Sequence, residues 1–294
     1  MDPQHPTPYP EVNALLQEVL VGTQQILGSH FVGMYLEGSL VSDDFDQDSD
    51  IDFVVVTDED VSSDCFAALQ AMHERIAALD SWYAIQLEGS YISRQALRRH
   101  DPTHARHPNI ERGAGERLKM AYHDSAWLVH RSILRERGVT LAGPAPQTLI
   151  DPIAPQDLQR AMVEPAQGWA ASILDTPAQL RIRGSQSYVV LTLCRMLFTL
   201  HTGRVATKPA AARWALATLD ARWGPLIERA WAGRHDPDAE QAAAGARWAP
   251  LIERAWAGPH NAEVLPEEVD ETLEFIRYTI ASSRQADATG QVQP

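Results

Sequence analysis

The stretch MYLEGSLVSDDFDQDSDIDFVVVT, from Met34 to Thr57, places six aspartates within ten positions between two apolar runs. The runs themselves, Phe31 to Leu36 and Ile51 to Thr57, read as strands. Asp50 and Asp52 are separated by one residue at the start of the second run. Strand side chains alternate, so both carboxylates point to one face while Ile51 points to the core. Like charges this close repel, and a cation removes that repulsion. Two carboxylates on one rigid strand suit a hard divalent cation with oxygen ligands, most simply Mg²⁺. Gly38-Ser39 closes the preceding strand. A glycine there lets the backbone approach a phosphate, and a serine hydroxyl can donate to it. Ser49 stands directly before the first of the two acids, and a third acid, Glu88 in AIQLEGSYI, falls on the next predicted strand. Three carboxylates from two strands, behind Gly-Ser, form a constellation for metal-assisted nucleotidyl transfer. A calcium loop fails on the same residues: with Asp44, Asp46 and Asp48 at its first, third and fifth positions, Ser49 and Val55 stand where glycine and glutamate are required. Asp43, Asp44, Asp46 and Asp48 read as solvated loop charges.

Outward from this stretch, Glu11 to Leu27 carries apolar residues at helical spacing and ends at Gly28. Val61 to Leu79 reads as a second helix and Trp82 to Ile92 as a third strand. Arg94 to Glu116 is charged and loop-like. Its His100, His104 and His107 have spacings that a metal site could use, but prolines interrupt the run, which reads as solvated. A helix over Ala126 to Arg137 leads into GVTLAGPAP, a turn-rich link. Beyond it the pattern is helical, with breaks at Pro and Gly. SYVVLTLCRMLFTLHTGRV is nearly all apolar and ends at Gly203, as a central buried helix would. ARWGPLIERAWAG (Ala221–Gly233) recurs as ARWAPLIERAWAG (Ala246–Gly258), a tandem duplication predicted to give two similar helices. The expected architecture is an α/β domain over 11–150, a small mixed sheet with helices, followed by an all-α helical bundle over 151–284. Residues 1–10 and 285–294 are expected to be disordered tails.

The chain has 294 residues and a net charge of −14. That charge argues against a protein that coats nucleic acid, which needs a basic stripe, and fits cationic partners. No apolar run is long enough to span a bilayer, and MDPQHPTPYP lacks the regions of a signal peptide. A cytoplasmic protein without membrane or nucleic-acid partners is expected. Cys65 and Cys194 lie far apart in apolar contexts and read as buried thiols.

GSLVSDDFDQDSDID resembles the signature of the nucleotidyltransferase superfamily, G-S followed by D-x-D. VTLAGPAPQTLIDPIAPQDL (Val139–Leu158) and VVLTLCRMLFTLHTGRVATKPAAARWAL (Val189–Leu216) are similar to the interdomain segment and C-terminal helical domain of the aminoglycoside 3''-type adenylyltransferases, which modify streptomycin and spectinomycin. The resemblance implies an N-terminal nucleotidyltransferase domain. In it, Asp50 and Asp52 would hold Mg²⁺, Gly38, Ser39 and Ser49 would meet the ATP phosphates, and Glu88 would be the catalytic base and third metal-site acid. It implies that Arg195 and Lys208 of the helical domain reach the triphosphate. The implied activity is transfer of AMP from ATP to a hydroxyl of a small cationic acceptor such as an aminoglycoside, with release of pyrophosphate. The chain departs from the family before the helix at Val189: Ser185 stands where an acceptor-contacting acid would lie, and no tryptophan precedes it. Two other readings compete. Arg195 and His201 form an R-x5-H pattern resembling the HEPN ribonucleases. A protein could also bind nucleotide or antibiotic without chemistry, although such a protein has no use for a base at Glu88.

Overall fold

The structure, a computed structural model, describes residues 6–41, 45, 49–123, 127–234 and 263–289. It divides into two compact units, Met1–Pro152 and Ile153–Pro294. The first opens with helix α1 (Pro10–Leu27), which ends at Gly28 in a backbone conformation with φ of 54°. Strands β1 (Phe31–Leu36) and β2 (Ile51–Thr57) follow, then α2 (Ser63–Ala77), capped by the Ser62 hydroxyl. After these come β3 (Leu87–Ser93), α3 (Arg94–Arg98), β4 (Arg106–Ile110), β5 (Lys119–Tyr122), α4 (Trp127–Arg137), β6 (Val139–Ala142) and α5 (Pro146–Leu149). The strands form one six-stranded mixed sheet in the order β5-β4-β3-β2-β1-β6. β2 and β3 are parallel; the other pairings are antiparallel.

Alternation along β2 sets the two faces. Ile51, Phe53 and Val55 join Val12, Leu16, Val19, Leu69 and Met72 in one apolar core, so α1 and α2 cover that face. Asp52 therefore lies on the opposite face. Parallel register sets Asp52 directly beside Glu88 and Phe53 beside Gly89. A Cβ on Gly89 would fall inside the Phe53 ring, so the core requires glycine at the residue after Glu88.

Several elements differ from expectation. Trp82–Ile85 is a 3₁₀ turn, and the third strand starts only at Leu87. The charged stretch after Arg94 contains β4, and the turn-rich link contains β6, which pairs with β1. Pro108 lies within β4, yet β3 pairs with β4 only at Asn109 and Ile110, so β3 asks nothing of the missing N–H. His107 is correspondingly not a solvated loop residue. It is buried on β4, with Nε2 3.1 Å from the Ser90 hydroxyl. Thr7 is buried, with its N–H and hydroxyl both on Asn13 Oδ1.

The second unit is helical: α6 (Pro155–Asp175), α7 (Arg183–Thr202), α8 (Lys208–Thr218), α9 (Gly224–Ala232) and α10 (Pro266–Thr289). α10 carries residues 285–289, which composition placed in a tail. α7 is the central helix and packs on the other four. Val190, Leu193, Cys194, Leu197 and Leu200 are wholly buried along it, and Gly203 ends it in the left-handed region. The first duplicated copy forms α9, with Pro225 in its first turn and Leu226 and Ile227 buried. Trp223, just ahead of α9, packs on Phe275 at 4.9 Å between ring centroids. The second copy lies outside the described residues. Among those residues, no helix is long and apolar enough to cross a membrane.

Candidate active site

β1 and β2 carry the two halves of the opening motif to the same end of the sheet. β1 ends at Leu36, Glu37 N–H bonds the Asp52 carbonyl at 3.2 Å, and Gly38–Val41 turns away as a 3₁₀ segment. Gly38 has φ of 67°, and a Cβ there would overlap the Asp52 carboxylate. Glycine at this position is thus fixed twice, by the backbone and by the approach of the acid. Ser39 and Ser49 are half-buried at the two ends of the connection. Asp43, Asp44, Asp46 and Asp48 lie outside the described residues.

Asp50, Asp52 and Glu88 each offer a carboxylate oxygen to one point, these oxygens lying within 4.8 Å of one another. Arg112 makes an ion pair with Asp50. Burial pushes Asp52 well above the usual carboxylate range, and the neighbouring charges of Glu37, Asp50 and Glu88 push it further. Glu88 is pushed up to about 6 by burial and then by Asp50, with Arg112 and His130 opposing. Both shifts arise first from burial and then from neighbouring carboxylates, and a cation at the cluster would oppose the second cause. A divalent cation fits this donor set: hard oxygens, three acids, and a glycine cradle that a side chain would fill.

A pocket of about 350 Å³ opens beside the triad. Glu37, Glu88, Glu111, Trp127 and His130 are among its walls. Glu37 is buried and accepts a hydrogen bond from His130 Nδ1 at 2.9 Å, and the His130 ring lies 5.0 Å from that of Trp127. An acidic pocket with an aromatic wall suits a small cationic ligand.

Sequence reasoning singled out the triad but missed Glu37, Arg112, Trp127 and His130. Glu37 had a signal, being an acid placed directly before Gly38-Ser39. Arg112 had none, since its segment reads as a loop. Among the described residues no second cluster of metal-ligating geometry occurs; His104 bonds Asp60 instead, at 2.8 Å.

In the second unit, Arg195 is half-buried on α7, and Lys208 is exposed at the start of α8, whose N-cap is Thr207. Arg195 and His201 are six residues apart, roughly 240° around a helix of 3.6 residues per turn. His201 packs on Trp214 at 5.2 Å. Nothing in this arrangement favours a paired nuclease site.

The nucleotidyltransferase domain family matches residues 24–101, and the aminoglycoside adenylyltransferase C-terminal domain family matches residues 148–255. The chain is 37% identical over 111 residues to an aminoglycoside (3'') (9) adenylyltransferase of Klebsiella pneumoniae, spanning 37% of this chain and 40% of that relative's length. It is 26% identical over 226 residues to a spectinomycin 9-adenylyltransferase of Campylobacter jejuni, spanning 73% of this chain and 82% of the relative. Among solved structures, it is similar to spectinomycin adenyltransferase AAD(9) from Enterococcus faecialis, crystallised with ATP and spectinomycin. The TM-score is 0.64 at 17% identity, over 91% of this chain and 98% of that one. At that identity the likeness shows a shared fold.

Proposed function

We propose that this chain, which joins a nucleotidyltransferase domain to an aminoglycoside-adenylyltransferase C-terminal domain, is a Mg²⁺-dependent adenylyltransferase of the cytoplasm. It moves AMP from ATP to a hydroxyl of a small cationic acceptor of the aminoglycoside or spectinomycin class and releases pyrophosphate. The observation that carries this reading is the meeting of Asp50, Asp52 and Glu88 beside a glycine whose side chain would displace Asp52. The relatives and the acidic pocket support the acceptor class.

Asp50 and Asp52 hold the metal, and Glu88 completes the cluster. When bound, Mg²⁺ neutralises triphosphate charge and polarises the α-phosphoryl group. The Gly38 backbone and the Ser39 and Ser49 hydroxyls receive the phosphates, and Arg195 and Lys208 are nucleotide-binding residues of the second unit. Glu88, the third acid of the cluster, takes the proton of the acceptor hydroxyl as general base. The acceptor oxygen attacks the α-phosphorus, the α–β bridging bond breaks, and its electron pair leaves with pyrophosphate.

Pyrophosphate release with ATP, GTP and CTP, tested with Mg²⁺ against spectinomycin, streptomycin and further aminoglycosides, checks the reading. Release is expected with ATP and at least one acceptor. No release with any pair contradicts it. In Glu88→Gln, nucleotide binding should persist while turnover falls about a hundredfold or more, the scale of a lost general base. An equal loss of nucleotide affinity would assign Glu88 to the metal alone.

A further inference from the structure

The pocket beside the triad is walled by four acids, and Arg112 is the one arginine or lysine among its described lining residues. A triphosphate entering such a pocket meets repulsion from every carboxylate that the metal does not neutralise. A cation at the triad is therefore worth more to a nucleotide than one elsewhere on the unit. Arg112 sits in the connection between β4 and β5. This connection is pinned by the Gly113 N–H on the Ile85 carbonyl at 2.8 Å, just ahead of β3. Gly113 and Gly115 both take positive φ, 132° and 81°, so the loop returns sharply after Arg112. The guanidinium is thereby aimed across the start of β3 onto Asp50, while the side chain remains about half exposed. A planar guanidinium matches either partner, carboxylate or phosphate.

We propose that Arg112 neutralises Asp50 in the metal-free protein, releases it when a divalent cation enters, and then binds the nucleotide's phosphates. The inference rests on the adenylyl-transfer reading. It makes Arg112 a phosphate-positioning residue and a competitor of the metal for one carboxylate. Removing it should thus act in opposite directions on metal and nucleotide.

The test is calorimetric titration of wild-type and Arg112→Gln protein, first with Mn²⁺ alone, then with α,β-methylene-ATP in the presence of Mn²⁺. The variant should bind Mn²⁺ about threefold more tightly, the scale of a half-exposed ion pair. It should bind the analogue about tenfold more weakly, the scale of a charge-assisted hydrogen bond. Unchanged or weaker Mn²⁺ binding overturns the proposal, as does unchanged affinity for the analogue. Asp50→Asn separates the inference from its premise. If wild-type protein binds neither ligand, or Asp50→Asn binds Mn²⁺ as wild type does, the reading of the site fails and the inference falls with it. If wild type binds both, Asp50→Asn loses Mn²⁺, and Arg112→Gln equals wild type, the inference alone fails.

Discussion

The two units treat buried charge in opposite ways. In the helical unit, Arg183 of α7 meets Glu268 of α10 at 2.6 Å, Arg229 of α9 bridges Glu268 and Glu271, and Gln186 bonds Thr272 at 2.9 Å. Acids and bases there are matched, and the matches tie three helices together. In the first unit, Asp50, Asp52, Glu88 and Glu37 crowd one end of a sheet against Arg112 and His130, and two of the carboxyls are pushed upward by burial and then by the neighbouring carboxylates. Matched charge holds a fold, whereas an excess of one sign on rigid strands is a cost that a ligand relieves.

The largest effect expected from this contrast is on turnover. Asp52→Asn should reduce it at least about a thousandfold, roughly 4 kcal/mol of transition-state stabilisation. Its metal-free melting temperature should hold or rise, because a buried repulsion is removed. A variant that loses stability without metal would show that Asp52 is matched after all. Arg183→Ala should do the reverse. Leaving Glu268 short of a partner should cost about 2–3 kcal/mol in denaturant unfolding, at or below the lower end of what breaking a buried pair costs because both groups keep some exposure. Activity per folded molecule should be retained; a folded but inactive variant would make this network part of the site.

How much of this was legible in the sequence follows the same division. β1 and β2 emerged with their observed bounds, because both are apolar runs beside a motif. The triad emerged because D-x-D on a strand has one geometric meaning and Glu88 lies on the adjacent strand. β4 and β6 stayed hidden. RHPNI carries a proline and a charge, and VTLA is a short strand in a turn-rich setting, so local pattern could not signal partners distant in sequence. Glu37, Trp127 and His130 come together only through that pairing. In the helical unit, a nearly all-apolar run showed α7 and its Gly203 terminus. The roles given to Arg195 and Lys208 came from resemblance, since a half-buried arginine and a helix-start lysine have ordinary structural readings.

Gly38→Ala sharpens the comparison on the backbone side. Positive φ alone should cost about 1–2 kcal/mol. Displacement of Asp52 by the new Cβ should weaken Mn²⁺ binding by about tenfold or more, and unchanged Mn²⁺ affinity would mean that Asp52 does not hold the metal. A further effect is on pH dependence. Glu88 moves from 4.5 to about 6 on folding, so the folded protein binds the extra proton between these values. Its contribution to stability is present below about pH 4.5 and is lost as pH rises through about 6, by about 2 kcal/mol. The metal-free wild type should therefore lose stability relative to Glu88→Gln across that window. A difference independent of pH would contradict the crowding of the site.

The most direct measurement follows the label from ATP carrying ³²P at the α-phosphate, incubated with Mg²⁺ and each acceptor in turn, spectinomycin first. The account predicts that label appears in the acceptor, requires Mg²⁺, and is abolished in Asp52→Asn. Label that remains in free nucleotide with every acceptor, or transfer that survives removal of the metal or of Asp52, would contradict it.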